Sequence, residues 1–326
     1  MSEPVRWGIL STAKINEAIL GGARGAAGAE VVAVASRDRA RAQAYAAEKG
    51  IARVHGSYEA LLADDAVEAV YVPLPNALHL PWSVRALEAG KHVLCEKPLS
   101  PRRADVEAAF DVAERCGRLL MEAFMWRYHP ATELLAGLVR DGAVGSLRVV
   151  RAAFAFSLPP EADDVRWSRE LEGGALMDVG CYCLSALRLL AGEPERVSAE
   201  RVDGGTGVDA RLAGLLRFPG DVLGTFDCAF DVPPRAGIEV VGETGTIVSL
   251  DPWHGRAPEL RILRAGAEPE DVPAELANPY ALELDEFSRA VRGGPPPRLG
   301  REDAVGQARA VEALYRSAAE GRAVTP

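Results

Sequence analysis

His92-Val93-Leu94-Cys95-Glu96-Lys97-Pro98 is an apolar run closed by a charged pair and a proline, and a helical stretch from Pro101 to Cys116 follows it. A short apolar run feeding directly into a helix reads as a strand buried on both faces. Working outward, Ala69 to Val72 is a second such strand, with the amphipathic helix Pro81 to Ala89 between the two. Further back lie the strands Val5 to Leu10 and Val31 to Ala35 and the helices Lys14 to Ala27 and Arg39 to Gly50; Leu119 to Ala123 closes the series. Alternation of this kind predicts α/β architecture with an amino-terminal doubly wound parallel (Rossmann) sheet. In such sheets ligands bind outside the carboxyl ends of the strands, so Lys97 is placed to face a site. A lysine there can take part in proton transfer, and Pro98, by fixing one dihedral, limits how Lys97 is aimed. The plainer alternative is a strand-end lysine that merely pairs with Glu96.

The rhythm changes near Gly145. Leu147 to Arg151, Ala153 to Phe156, Gly207 to Phe218, Asp221 to Phe230, Gly237 to Val241 and Gly245 to Leu250 read as strands joined by turns rich in glycine and proline, with a helix over Asp178 to Leu190. This predicts an α+β carboxy-terminal domain on a large open, mostly antiparallel sheet. Asn278 to Gly293 and Arg301 to Glu320 return to helix. The expected division is a dinucleotide-binding domain over 1–124, a substrate-binding and dimerisation domain over 125–277, and a helical tail over 278–326 that packs back on the first domain.

At 326 residues the chain exceeds what one core usually organises. Its 48% hydrophobic and 26% charged residues are those of an ordinary globular protein. The net charge of -10, with no basic run, argues against nucleic acid and anionic membranes as partners. The opening Met1-Ser2-Glu3-Pro4 leads straight into a strand with no apolar leader, so a cytoplasmic address is expected. Five scattered cysteines fit reduced thiols, and neither they nor the five histidines fall at ligand spacing, so no metal site is expected.

The turn after the first strand carries a degraded dinucleotide fingerprint. Ser11, Ala13 and Asn16 stand where three glycines would allow close approach to a pyrophosphate. Ser11-Thr12-Ala13-Lys14-Ile15 is therefore a weak signal, equally readable as an ordinary capped turn. The end of the second strand is sharper: a carboxylate there would hold the ribose of NAD, whereas this chain has Ser36-Arg37, a hydroxyl donor and a guanidinium suited to the 2′-phosphate of NADP. NADP is the expected cofactor, with NAD the alternative. Pro73-Leu74-Pro75-Asn76 and His79 follow a strand end and face the crevice; Pro73 and Leu74 are expected at the cofactor and Asn76 and His79 on its nicotinamide side, with a turn followed by helix capping the plainer reading of Asn76.

A glycine-rich turn, Gly173-Gly174-Ala175, leads to Asp178 and Tyr182, four residues apart on one helix. A phenol titrates near pH 10, and a neighbouring ammonium such as Lys97 would lower that value. The pair is a candidate acid–base unit; the bland reading is a packed tyrosine with Asp178 as a cap.

With these residues in view, the whole chain resembles the Gfo/Idh/MocA oxidoreductases, named for glucose-fructose oxidoreductase and inositol dehydrogenase. The resemblance rests on Glu96-Lys97-Pro98, on Pro75-Asn76-x-x-His79, on the glycine-rich entry to Asp178, and on Asn278-Pro279-Tyr280 with Glu283 and Phe287. Trp7-Gly8-Ile9-Leu10-Ser11-Thr12-Ala13, Ser36-Arg37, Met121 to Pro130 and Asp178-Val179-Gly180-Cys181-Tyr182 are similar to the branch holding dimeric dihydrodiol dehydrogenase and NADP-dependent D-xylose dehydrogenase. The resemblance implies hydride transfer between nicotinamide and a carbinol carbon of a sugar, polyol or cyclic diol, and a homodimer or higher homo-oligomer through the carboxy-terminal sheet. It implies Tyr182 as general base, Lys97 holding the phenol and substrate oxygen, and Asp178 orienting either. The reverse assignment, Lys97 as proton carrier, is also used by relatives. Glu96 and Lys97 are further expected at the cofactor with Trp126 and Arg127. Trp126, Phe154, Trp167 and Arg169 are candidates for the substrate wall beside Lys97, Asp178 and Tyr182. Two other functions stay open: a glycosidase using transient oxidation of bound NAD, against which Ser36-Arg37 argues, and a non-catalytic NADP sensor, against which Lys97, Asp178 and Tyr182 together argue.

Overall fold

Strand and helix alternate through the first third of the chain for reasons visible at each junction. A computed structural model describes residues 3–159, 164–257 and 259–326, so Met1 and Ser2 of the opening lie outside the described residues. Strands β1 (Val5–Leu10), β2 (Ala29–Ala35), β3 (Arg53–His55), β4 (Ala69–Val72), β5 (His92–Glu96) and β6 (Leu120–Ala123) form one sheet in the order β3-β2-β1-β4-β5-β6. Every pairing in it is parallel. Helices α1 (Asn16–Gly25), α2 (Arg39–Lys49), α3 (Tyr58–Leu62), α4 (His79–Glu88) and α5 (Arg103–Cys116) connect the strands. Asp38 caps α2 by accepting from the Arg41 amide at 3.1 Å, and Ser57 caps α3 through the Ala60 amide at 3.1 Å. Such caps are each worth about 1 kcal/mol. The strand order reverses between β1 and β4, the switch point where doubly wound sheets bind ligands.

The second sheet has eight strands in the order β14-β13-β12-β11-β7-β10-β9-β8. They are β7 (Leu147–Ser157), β8 (Arg196–Asp203), β9 (Asp209–Arg217), β10 (Leu223–Ala229), β11 (Asp231–Gly242), β12 (Thr246–Ser249), β13 (Glu259–Leu263) and β14 (Glu270–Pro273). All neighbours run antiparallel except β10 beside β7. The two strands expected over Leu147 to Arg151 and Ala153 to Phe156 are a single strand, because Ala152 is buried within an unbroken pairing with β11. Helix α6 (Pro130–Arg140) precedes this sheet, capped by His129, whose Nδ1 accepts from the Ala131 amide at 3.1 Å. Helix α7 (Cys181–Ala191) covers one face; its Leu184 and Leu187 are fully buried.

The carboxy-terminal helices α8 (Pro279–Val291) and α9 (Arg301–Glu320) complete the chain. Two compact units emerge, one of residues 1–125 with 278–305, the other of 126–277 with 306–326. The expected single tail is thus divided. In the first unit Trp7 packs on Phe287 with ring centroids 5.4 Å apart and its Nε1 donates to Ser288 Oγ at 3.3 Å. Arg292 forks onto Glu68 at 2.8 and 2.9 Å. In the second unit Gln307 donates to the Cys181 carbonyl at 2.8 Å and Ser317 accepts from the Ala199 amide at 3.1 Å. Among the described residues no helix is long and apolar enough to cross a membrane.

Candidate active site

In the first unit the chemistry-bearing residues gather at the carboxyl ends of β1, β2, β4 and β5. Ser11 leaves β1 with φ +139°, a conformation that side chains rarely adopt and that the missing first glycine would take freely. The strained turn is braced by its own side chains. Ser11 Oγ accepts from the Ala13 amide at 3.1 Å and donates to the Pro73 carbonyl at 3.4 Å, and Asn16 Nδ2 donates to the Ser11 carbonyl at 2.9 Å. Asn16, standing for the third glycine, opens α1 and is fully buried. Thr12, Ala13 and Ile15 are half-buried and Lys14 exposed, so hydroxyl and amide groups hold the turn where three glycines would usually stand. Its backbone lies at the positive end of α1, which suits a phosphate.

At the end of β2 Ser36 is buried, and its Oγ accepts from the Asp38 amide at 3.2 Å. Arg37 is exposed and hydrogen-bonds the phenol of Tyr58, whose pKa burial raises against the opposing charges of Arg37 and Arg41. Tyr58 meets Trp82 edge to face at 4.9 Å, and the Arg85 guanidinium lies 4.6 Å over Trp82. This cationic rim with no carboxylate at the position of Ser36 fits a phosphorylated ribose.

Around β5, Glu96 and Lys97 are half-buried and the Lys97–Pro98 peptide is cis. Glu96 accepts from the hydroxyl of the fully buried Tyr71 and receives the Lys97 amide at 3.4 Å. Asn76 is half-buried on the loop that carries Pro73 and Leu74, both buried. His79 departs from expectation. It is 1% exposed, with Nδ1 2.8 Å from the Pro98 carbonyl and Nε2 2.7 Å from the Leu74 carbonyl. The neutral ring donates to one of these carbonyls and lies enclosed between the two loops, presenting nothing to a cofactor. Burial, helped by the charge of Lys97, holds its pKa down to about 4.

In the second unit Asp178 lies on a π-helical turn, Leu176–Gly180, that runs directly into α7 and its Tyr182. Single π turns often mark functional positions because they break the regular ladder. Arg166, unnoticed in the sequence, faces this turn with Nη1 3.6 Å from Asp178 Oδ2. It forks onto Asp164 at 2.8 and 2.7 Å and lies 5.3 Å over the ring of Phe156. Tyr182 meets Phe154 edge to face at 5.5 Å, and Phe154 stacks on Trp253 at 5.6 Å with an interplanar angle of 13°. His254 closes the array against Phe154 at 5.8 Å. Trp253 and His254 come from the turn after β12, which no sequence signal marked.

Three of the expected wall residues stand elsewhere. Trp126 is 1% exposed and packs edge to face on Trp253 at 5.4 Å, so it supports the array from within the core rather than lining it. Trp167 is 4% exposed, donates to the Pro159 carbonyl at 3.1 Å and packs on Phe230 at 5.3 Å. It too is core. Arg169 is exposed beside Gly207, three positions from the guanidinium that does reach Asp178. Arg127 is half-buried and donates to Ser185 Oγ at 3.3 Å, which anchors it to α7.

Comparison with known proteins places the fold in a family. Residues 5–124 match the oxidoreductase family with an NAD-binding Rossmann fold, and residues 133–248 match the GFO/IDH/MocA C-terminal domain. A D-xylose 1-dehydrogenase (NADP(+)) from Haloferax volcanii is 43% identical over 98% of each chain. The trans-1,2-dihydrobenzene-1,2-diol dehydrogenase of Bos taurus is 36% identical over 76% of this chain and 75% of its own. Among solved structures, a 3-ketoreductase from Actinomadura kijaniata in complex with NADP and TDP-benzene superposes with a TM-score of 0.91 at 33% identity, covering 97% of this chain and 98% of that one. Two domain matches in series and relatives aligned nearly end to end establish that this chain belongs to the Gfo/Idh/MocA oxidoreductase family, on the branch of the D-xylose and dihydrodiol dehydrogenases.

Proposed function

We propose that the chain is an NADP-dependent oxidoreductase that moves a hydride between the nicotinamide and a carbinol or carbonyl carbon of a sugar, polyol or cyclic diol. The observation that carries the reading is the phenol of Tyr182 beside the Phe154–Trp253 stack, with Asp178 on the preceding π turn facing a guanidinium. Aromatic faces suit the apolar side of a sugar ring or an arene diol. The relatives named above, a xylose dehydrogenase using NADP, a dihydrodiol dehydrogenase and a ketoreductase, all work on carbinol or carbonyl carbons. Residues 1–124 hold the dinucleotide, 125–277 bind substrate, and the two parts of the tail, 278–305 and 306–326, each steady the unit they belong to.

When bound, the nicotinamide accepts or returns the hydride. Ser11 to Ile15 receive the pyrophosphate at the positive end of α1. Ser36 donates its hydroxyl to the 2′-phosphate and Arg37 pairs with it, a charge-assisted contact that a carboxylate at this position would forbid. Tyr182 takes the hydroxyl proton of the substrate as general base, and Lys97 hydrogen-bonds the same oxygen and stabilises the phenolate. Asp178 orients the substrate, itself aimed by Arg166. A second copy of the chain covers the open face of the eight-stranded sheet, where Leu215 is 50% and Leu250 75% exposed on either side of the ion pairs Arg151–Glu239 and Arg235–Asp227.

The test is a screen of D-xylose, other aldoses, polyols and aromatic diols with NADP and NAD side by side, read at 340 nm. Turnover with NADP supports the proposal. A product that forms without net change in nicotinamide absorbance would point instead to transient oxidation on a retained cofactor.

A further inference from the structure

The π turn that carries Asp178 rests on two side chains from the sheet below it. Asp209, the first residue of β9, is 1% exposed. Its Oδ2 accepts from the Leu176 amide at 2.7 Å, and its Oδ1 accepts from the Tyr315 hydroxyl at 2.9 Å. Gly174 takes φ +121°, and a Cβ there would sit 2.3 Å from Asp209 Oδ1. At the other end of the turn a Cβ on Gly180 would sit 2.7 Å from Cys228 Sγ of β10. The two glycines therefore bracket the π turn because a carboxylate and a thiol fill the space beneath them. A π turn lacks the regular ladder that would hold it in place, so its aim depends on what it is fastened to.

We propose that Asp209 is a positioning residue for the reaction: as an anion it clamps the Leu176 amide and so sets the direction in which Asp178 and, one turn on, Tyr182 are presented. This rests on the reading of those two residues as substrate-facing groups. The clamp is sensitive to protonation. A charged carboxylate grips an amide and a phenol about twice as strongly as a neutral carboxyl does. Burial pushes Asp209 up to about 6, against the Leu176 amide, the Tyr315 hydroxyl and the charge of Arg201. The titratable and charged groups facing it are Tyr315 on α9, Arg201 on β8 and Cys228 on β10. Burial raises the phenol and the thiol well above their ordinary values, so both stay neutral at weakly acid pH. Of these groups only Asp209 changes charge there.

The experiment is amide hydrogen exchange of the segment 173–180 in the full chain, as protection corrected for the intrinsic rate, on wild type, Asp209→Asn and Tyr315→Phe. In wild type, protection of Leu176 falls about tenfold from about pH 7.5 to about pH 5, the worth of one charge-assisted hydrogen bond. Asp209→Asn shows the low value at every pH, and its kcat with NADP and D-xylose drops while NADP affinity stays put. Should Asp209→Asn fail to fold, Tyr315→Phe carries the test: removing a donor to the carboxylate moves the midpoint of the wild-type transition upward. An unchanged midpoint in Tyr315→Phe, or wild-type protection and pH dependence in Asp209→Asn, overturns the proposal. The exchange readout stands apart from turnover, so a chain inactive on every substrate of the screen would sink the proposed function and leave this measurement to be read by itself.

Discussion

Arg166 and Asp178 stand 3.6 Å apart, and the guanidinium is not loose: Asp164 holds it by a fork, and the ring of Phe156 lies beneath it. Asp164 raises the pKa of Arg166 foremost, while burial opposes it. The result is a fixed cation that faces the Asp178 carboxylate from one side. A planar fork cannot be reproduced by an ammonium on a flexible stem.

Arg166→Ala is therefore expected to lower kcat/KM for D-xylose by about 10- to 100-fold, the worth of a charge-assisted contact, with NADP affinity unchanged. Arg166→Lys recovers only part of it. Steady-state rates at 340 nm, with NADP affinity measured separately by fluorescence, check the split. A loss confined to NADP binding would remove Arg166 from the substrate side.

Cofactor choice is expected to follow the end of β2. Arg37→Ala weakens NADP by about 10- to 100-fold and leaves NAD nearly untouched, since only NADP carries the 2′-phosphate that the guanidinium would pair with. Ser36→Asp goes further and reverses the preference, because a carboxylate repels that phosphate and accepts from the ribose hydroxyls. Kd values for the two dinucleotides on each variant are the measurement. Equal weakening of both would mean that Arg37 serves the adenine instead.

The sequence revealed most where one local rule decides the outcome. β4 and β5 were readable to the residue because strands buried on both faces are unbroken apolar runs between turn signals. β8 escaped because Arg196, Glu200, Arg201 and Asp203 interrupt its apolar residues on the exposed side, and β13 and β14 because they are short, with β14 at the sheet edge. Residue type alone did not say whether an aromatic lines a wall or fills a core. Trp126 and Trp167 are core, and Phe154 joins a stack completed by Trp253, a hundred residues away in sequence and bonded to the Ala153 carbonyl at 3.0 Å. Likewise Arg169 and Arg166 look equivalent until the short 3-10 turn Val165–Trp167 swings one of them toward Asp178. Partners brought in by long-range pairing leave no local trace.

The turn above Asp209 offers a sharp steric test. Gly174→Ala puts a methyl group 2.3 Å from a carboxylate oxygen at a φ of +121°, so either the clamp or the turn must give way. A loss of about 1–3 kcal/mol of stability is expected from the backbone conformation alone, with near-complete loss of turnover. Gly205→Ala is the control, with no atom within 4 Å of its Cβ and no positive φ; its melting temperature and rate should stay at wild type. Thermal melts and turnover of the two variants, measured together, decide it.

Glu283 of α8 is fully buried, and neither carboxyl oxygen has a hydrogen-bond partner among the described residues. Burial raises its pKa well above the carboxylate range, with the charges of Glu96 and Glu286 adding to the effect. A group whose folded pKa exceeds its unfolded value contributes its full stability below the unfolded pKa and loses it as pH rises toward the folded one. Glu283 is thus a growing cost from about pH 4.5 upward, where only the unfolded chain ionises, at up to about 1.4 kcal/mol per pH unit. Glu283→Gln keeps the shape and cannot ionise. Wild type and variant are expected to melt at nearly the same temperature near pH 4 and to diverge above it, the variant being the more stable at pH 7. Asp209, His79 and the other shifted groups are common to both proteins and cancel in the difference. A melting-temperature gap that stays constant from about pH 4 to pH 8 would mean that Glu283 ionises as freely folded as unfolded, against a carboxyl sealed in the core.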